Sequence, residues 1–233
     1  MDLEKQMFPH RRGDREISIL TSNRATPRHL TFLLDAECYL SCLDAVNQIS
    51  ELDAAGKIRP SIFVFVSNID ETHRHRDFAC DNTFADYIAR DLFHFIKSRV
   101  PSLDNEGHLI AGLSLSGLAS TYIRMRYPKQ FSTALCQSGS FWWNHEWLKD
   151  QVDDAAPGKY WISVGNEEVQ SGLIHPPSRM RQEVCQVEAT QRFVDALRNN
   201  GHQVQHEVFE GGHGNGPSAR ELKAALAWLL PPG

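Results

Sequence analysis

HLIAGLSLSGLAS, residues 108–120, changes character at its middle. His108 to Leu113 is a short apolar run of the kind that forms a buried strand, and from Leu115 the apolar spacing becomes helical. The junction reads Gly112-Leu113-Ser114-Leu115-Ser116-Gly117. A serine on so sharp a strand-to-helix turn is held in a strained backbone conformation, and small neighbours are needed for strand and helix to approach. Its hydroxyl projects from the end of the sheet. The N–H of Leu115 then lies at the helix N-terminus, where it faces a developing oxyanion. The pattern is close to G-x-S-x-G, with Ser116 in the last position and Gly117 one residue later. Ser114 is the expected nucleophile. The bland alternative is a helix N-cap serine after a buried strand. Ser116 is the rival nucleophile, expected inside the helix.

Outward from this segment, strands and helices alternate. Strand-like runs occur at 16–20, 30–34, 61–66, 108–113, 133–136, 160–164 and 204–209, most of them bounded by Gly, Pro, Asp or Asn. Helical periodicity appears at 41–55, 83–99, 115–127, 182–199 and 218–230. This alternation predicts an α/β fold with a mostly parallel central sheet covered by helices on both faces. In such sheets reactive groups gather at the carboxyl ends of the strands. With no repeat, low-complexity tract or linker, residues 1–233 are expected to form a single domain, with 1–14 flexible or loosely docked.

Composition narrows the functional classes. The 233 residues are 41% hydrophobic and 23% charged, with a formal net charge of -5. The basic runs His10-Arg11-Arg12 and His73-Arg74-His75-Arg76 are each followed closely by acidic residues. No basic face for nucleic acid is expected, and no apolar run is long enough to span a bilayer. The N-terminal MDLEKQMFPHRRGDRE has charges throughout and no apolar core of a signal peptide. Five cysteines at irregular spacings are expected to be reduced thiols, which places the chain in the cytoplasm.

A serine hydroxyl needs a base to take its proton, and a hydrolase built on such a sheet supplies its partners in the order Ser, Asp or Glu, His. The run 204–209 leads into Glu210-Gly211-Gly212-His213-Gly214-Asn215-Gly216, a glycine-rich loop around one histidine. His213 is the expected base; His206 and His202 fall in or before the strand. The run 160–164 ends at Gly165-Asn166-Glu167-Glu168. A carboxylate there orients the imidazole and stabilises the imidazolium. Glu168 is the choice, with Glu167 the alternate.

Six segments together resemble the catalytic domain of the enterochelin (ferric enterobactin) esterases and their wider esterase group. They are FLLDAE (32–37), PSIFVFVSNIDETHRHRDFACDNTF (60–84), AGLSLSGLAS (111–120), CQSGSFWWNHEW (136–147), SVGNEE (163–168) and EGGHG (210–214). The resemblance implies an α/β-hydrolase fold and an esterase that needs no cofactor, with Ser114 as nucleophile, His213 as base and Glu168 favoured over Glu167. It also implies a second oxyanion donor, the backbone N–H of Glu37. The family usually has Gly where this chain has Ala36 and Ser116. Full-length members carry a further N-terminal domain that helps hold the ferric siderophore, whereas shorter relatives act on trilactone siderophores or other esters. The implied partner is a small-molecule ester, such as a ferric or iron-free catecholate siderophore. Oligomeric state is not implied.

Two further clusters are read against simpler roles. Arg74, in a charged loop expected after the 61–66 strand, can offer its planar fork to a carbonyl or catecholate oxygen, or can simply be solvated. Trp142 and Trp143 can stack on aromatic rings, with core packing the alternative for at least one. The arginines around His73 and His75 repel cations and no carboxylate–cysteine cluster accompanies them, so no metal site is expected. Three functions compete: ester hydrolysis through an acyl-enzyme, acyl transfer to an alcohol on the same fold, and a non-catalytic binding protein that retains the fold.

Overall fold

The computed structural model describes residue 1 and residues 3–232. In chain order its elements are β1 (Leu3–Phe8), β2 (Arg15–Thr21), β3 (His29–Leu34), α1 (Ala36–Ser41), α2 (Ala45–Ala54), β4 (Ser61–Val66), α3 (Glu71–Phe78), α4 (Asn82–Asp86), α5 (Phe93–Arg99), β5 (His108–Leu113), α6 (Leu115–Arg126), β6 (Phe131–Gln137), the short turn α7 (Trp143–Glu146), β7 (Lys159–Gly165), β8 (Leu173–His175), β9 (Met180–Gln182), α8 (Gln186–Asn199), β10 (Gln203–Phe209) and α9 (Asn215–Leu229). A π turn, Tyr87–Leu92, joins α4 to α5.

Eight strands form one sheet in the order β1-β2-β4-β3-β5-β6-β7-β10. The pairs from β4 through to β10 are parallel, and β1 and β2 are antiparallel additions at one edge. The mostly parallel sheet is what the alternation predicts, and the arrangement is the α/β-hydrolase fold that the resemblance implies. Strands β3 and β4 are buried along their whole length, because helices cover both faces of the sheet. One apolar layer gathers Phe84, Ile88, Leu118, Ile123, Phe193 and Leu197 against the sheet. The other gathers Tyr39, Ile49, Leu222, Leu226 and Leu229 on the opposite face.

Two expectations need correction. The segment 1–14, expected to be loosely docked, contributes β1, which pairs with β2 from Leu3↔Leu20 to Phe8↔Arg15. An outer strand needs only one bonded edge, and Phe8 anchors its end in the core; the polar remainder faces solvent and so lacks a strand-like apolar pattern. The charged loop around Arg74 is instead helix α3. Asp70 caps it by accepting the N–H of His73 at 2.8 Å. Asp77 pins it to the sheet edge through ion pairs with Arg12 (2.8 Å) and with the buried Arg15. Side-chain charge, rather than an apolar stripe, holds this helix in place.

Candidate active site

Ser114 sits between β5 and α6 with φ 55° and ψ −122°, a conformation that L residues rarely adopt. Its neighbours make the turn possible. A Cβ on Gly112 would fall well inside contact distance of the Ser116 carbonyl group, so only glycine lets the first turn of α6 fold back on β5. Ser116 is fully buried. Its Oγ accepts from the Leu113 N–H at 2.9 Å and donates to the Leu113 carbonyl at 2.8 Å. This serine braces the turn and leaves Ser114 as the hydroxyl that lines the cavity.

The loop after β10 brings His213 over that hydroxyl. His213 Nε2 lies 3.0 Å from Ser114 Oγ, and Nδ1 lies 2.6 Å from Glu168 Oε2. An ionised carboxylate only accepts, so the proton on Nδ1 faces Glu168 and Nε2 is left as the acceptor for the serine hydroxyl. The loop after β7 holds the carboxylate from the other side. Glu168 Oε1 accepts from Ser138 Oγ and from the Gly165 N–H, each at 2.7 Å. Burial pushes the Glu168 carboxyl up, but the hydrogen bonds from His213, Ser138 and Gly165 outweigh it and hold the group below the usual carboxylate range.

The loops carrying acid and base are tied to each other. Asn166 N–H donates to the Phe209 carbonyl (2.9 Å), Glu167 N–H donates to the Gly211 carbonyl (3.0 Å), and Gly211 N–H donates to Asn166 Oδ1 (3.0 Å). The two chains approach so closely at Gly165 that a Cβ there would strike the Gly211 carbonyl oxygen. Glu167 also lines the cavity, but its neighbour Glu168 is the residue that meets the imidazole.

These groups open onto a cavity of about 490 Å³. Leu115 and Arg74 line it beside Ser114, and the Leu115 N–H is among the first donors of α6, which no helical turn satisfies. Arg74 reaches the wall from α3, but its fork is partly engaged. Nε donates to Asp35 at 2.9 Å and one terminal nitrogen donates at 2.5 Å. Trp142 also lines the cavity, its indole N–H donating to Gln186 Oε1 at 2.5 Å and its ring stacked on His175 at 4.8 Å.

The Glu37 side chain and Trp143 lie off this cavity. Glu37 lies in the first turn of α1, and its carboxylate accepts the Asn68 N–H at 2.9 Å. Trp143 points its ring edge-on to Trp147 and borders a separate, smaller depression. Adjacent residues in an extended run would have opposite directions; here the turn into α7 sends the two indoles to different places.

Several residues that build the site were not singled out by sequence reasoning. Ser138, the second anchor of Glu168, follows β6 at the carboxyl end of the sheet, where reactive groups were expected. Leu173, His175, Met180 and Gln182 come from the β8–β9 hairpin, which roofs the cavity. His75 Nδ1 meets Ser178 Oγ at 2.7 Å and ties α3 to the tip of that roof. Among the described residues no cluster of His, Cys, Asp and Glu could hold a metal ion, and no helix is long and apolar enough to cross a membrane.

The chain is 31% identical to the iron(III) enterobactin esterase of Dickeya dadantii over 218 residues, which are 90% of this chain and 49% of that protein. It spans about half the length of this curated relative. Its backbone superposes on the enterobactin esterase of Shigella flexneri, solved in the presence of enterobactin, with a TM-score of 0.84 at 22% identity, covering 98% of this chain and 59% of the other. The siderophore hydrolase of Aspergillus nidulans gives a TM-score of 0.74 at 15% identity, covering 98% and 94%. At these identities the superpositions show the shared fold. Membership rests on the family model described as "Putative esterase", which matches residues 12–229, and the chain therefore belongs to that esterase family.

Proposed function

We propose that the chain is a serine esterase working through an acyl-enzyme. The observation that carries the reading is the hydrogen-bonded line Ser114–His213–Glu168, with its serine end open to the cavity. His213 Nε2 takes the hydroxyl proton as Ser114 Oγ attacks the ester carbonyl, and Glu168 stabilises the imidazolium. The carbonyl oxygen becomes an oxyanion that the Leu115 N–H receives, with the Glu37 N–H as the proposed second donor. The tetrahedral intermediate collapses, the C–O bond breaks, and His213 returns its proton to the leaving alcohol. Water then attacks the acyl-serine with His213 again as base, releasing the acid and restoring Ser114. This route calls for no cofactor.

The proposed substrate is an aryl-amide ester of the siderophore trilactone type. Solved relatives were obtained in the presence of enterobactin and of 2,3-dihydroxy-N-benzoyl-serine. The Trp142–His175 stack offers a flat wall for a catechol ring, and Arg74 keeps one terminal nitrogen without a protein acceptor among the described residues. The test is mass spectrometry of enterobactin-type trilactone and of a simple aryl acetate after incubation with the protein. Cleavage of the acetate alone discards the siderophore substrate and leaves a general carboxylesterase. Cleavage of neither discards the esterase.

A further inference from the structure

Strand β10 is the last in the sheet, so one of its edges is bonded to β7 and the other is open. Two backbone bonds fix which residues face which way. The Gln203 N–H donates to the Gly158 carbonyl, and the Phe209 carbonyl accepts the Asn166 N–H, each at 2.9 Å. In a parallel pair alternate residues do this bonding, so Gln203, Gln205, Glu207 and Phe209 turn their backbone groups to β7. Val204, His206 and Val208 turn theirs outward, and among the described residues no group of this chain bonds to them. The opposite edge of the sheet is blunted by charge: β1 exposes Glu4 and Lys5 side by side. β10 reads QVQHEVF, with no Lys, Arg or Pro and with Glu207 as its one acidic residue. Burial and then Arg198 hold His206 below the ordinary histidine range, and the ring stays uncharged near neutral pH. Val208 leaves 55% of its surface exposed.

This strand complements itself when reversed. With His206 on a two-fold axis, an antiparallel copy sets His206 against His206, Val204 against Val208 and Gln205 against Glu207. All the outward residues then meet outward residues; three N–H donors from each chain make six backbone bonds. Moving the axis to Glu207 loses two of the six bonds and brings two Glu207 carboxylates face to face. Moving it to Gln205 loses the same number and leaves Val208 opposite His202, beyond the end of the strand.

We propose that the open edge of β10 is an interface between copies of this chain, in which a second copy adds its β10 antiparallel in the His206-centred register and joins the two sheets into one. On one face each exposed Val208 is covered by Val204 of the partner subunit. On the other, Glu207 already accepts from Gln205 of its own chain through Oε1 at 2.6 Å, and its Oε2 receives the amide of the partner's Gln205. The interface is separate from the cavity and does not depend on the esterase reading.

Sedimentation velocity over a concentration series tests the assembly, and amide exchange followed by NMR at the same concentrations tests the register. The chain should pass from one copy to two, and the N–H groups of Val204, His206 and Val208 should become protected as it does. Val208→Lys changes an exposed residue and should raise the dimer Kd by about tenfold or more, since the two-fold axis counts each substitution twice. Its thermal midpoint and its kcat/KM on p-nitrophenyl acetate, both read on the dilute single chain, should match those of the unmutated protein. Gln205 gives a test of sign. Gln205→Lys meets the partner's Glu207 with opposite charge and should lower Kd about threefold, whereas Gln205→Glu meets it with like charge and should raise Kd by about as much. A single chain at about 100 µM overturns the proposal. So does a dimer in which the three outward amides exchange freely, or one whose Kd moves the same way in both Gln205 variants.

Discussion

Replacing Glu168 by Gln is the most searching perturbation of the site, because the two carboxylate oxygens do different work. Oε1 accepts two hydrogen bonds, from Ser138 and Gly165, and Oε2 faces His213. The substituted side chain has one oxygen and one NH2. Its oxygen must stay where Ser138 and Gly165 donate, since leaving two buried donors unpaired costs about 1–3 kcal/mol each. The NH2 is therefore placed against His213 Nδ1 and donates to it. That forces the imidazole proton onto Nε2, which then faces Ser114 Oγ as a donor and cannot take the hydroxyl proton. The fold is kept while the tautomer is wrong, a defect worth about 10⁴-fold in kcat in serine proteases that lose the acid this way, or about 5.4 kcal/mol of barrier. The assay is kcat/KM on p-nitrophenyl acetate together with the thermal midpoint. Glu168→Gln should lose roughly three to four orders of magnitude with a small shift in midpoint, and Glu167→Gln should stay within about twofold because no protein donor or base depends on it for orientation. Activity within tenfold of the unmutated protein in Glu168→Gln would refute the tautomer argument, and a collapse in Glu167→Gln would move the acid to that residue.

Other outcomes follow from the same geometry. Ser114→Ala should abolish nearly all hydrolysis of p-nitrophenyl acetate with an unchanged thermal midpoint, and turnover like the unmutated protein would remove Ser114 from the reaction. Gly112→Ala places a methyl group into the Ser116 carbonyl group, so it should lose activity and stability together; a fully active, equally stable variant would show that the turn relaxes freely. Burial holds His29 down to about 3 and His108 down to about 4, against 6.5 in the unfolded chain. Both stay neutral in the folded protein while the unfolded chain takes up protons below pH 6.5, so stability is complete above that pH and is lost as pH falls. At pH 5 the loss is about 2 kcal/mol per histidine; a urea midpoint unmoved between pH 7.5 and 5 would contradict it.

The parts of the molecule that were legible in the sequence are those with a local physical signature. The break from strand to helical spacing at Ser114 marks the turn, and four glycines around His213 mark a loop able to carry an imidazole over it. Glu168 was legible as a position, in the turn that follows β7, and the resemblance favoured it further over Glu167. What stayed hidden lacked such a signature. Strand β1 carries Glu4, Lys5 and Gln6 in a row because only its inner edge is bonded. Helix α3 has no apolar stripe and is held by ion pairs to residues some sixty positions away, such as Arg12 to Asp77. The strands β8 and β9 are three residues each, too short for any alternation to register. Trp142 and Trp143 are identical neighbours, and only the turn that follows decides which one faces Ser114's cavity.

The roof of the cavity enters and leaves the fold at nearly one point. The segment from Val169 to Gln186 departs directly after Glu168, and the Glu168 carbonyl accepts the N–H of Val187 where the chain returns. A segment clamped at its root behaves as an exchangeable cassette, since each doubling of a loop costs only about 0.6 kcal/mol in closure entropy. Descent with modification can then rewrite the roof, by insertion, deletion or wholesale replacement, while β7, the acid and the nucleophile keep their places. Laboratory recombination has the same opening. Grafting a foreign hairpin between Val169 and Val184 should alter which esters are accepted and leave the rate on a small acetate near its original value; a matching fall on the acetate would mean that the roof and the catalytic loops are one mechanical unit.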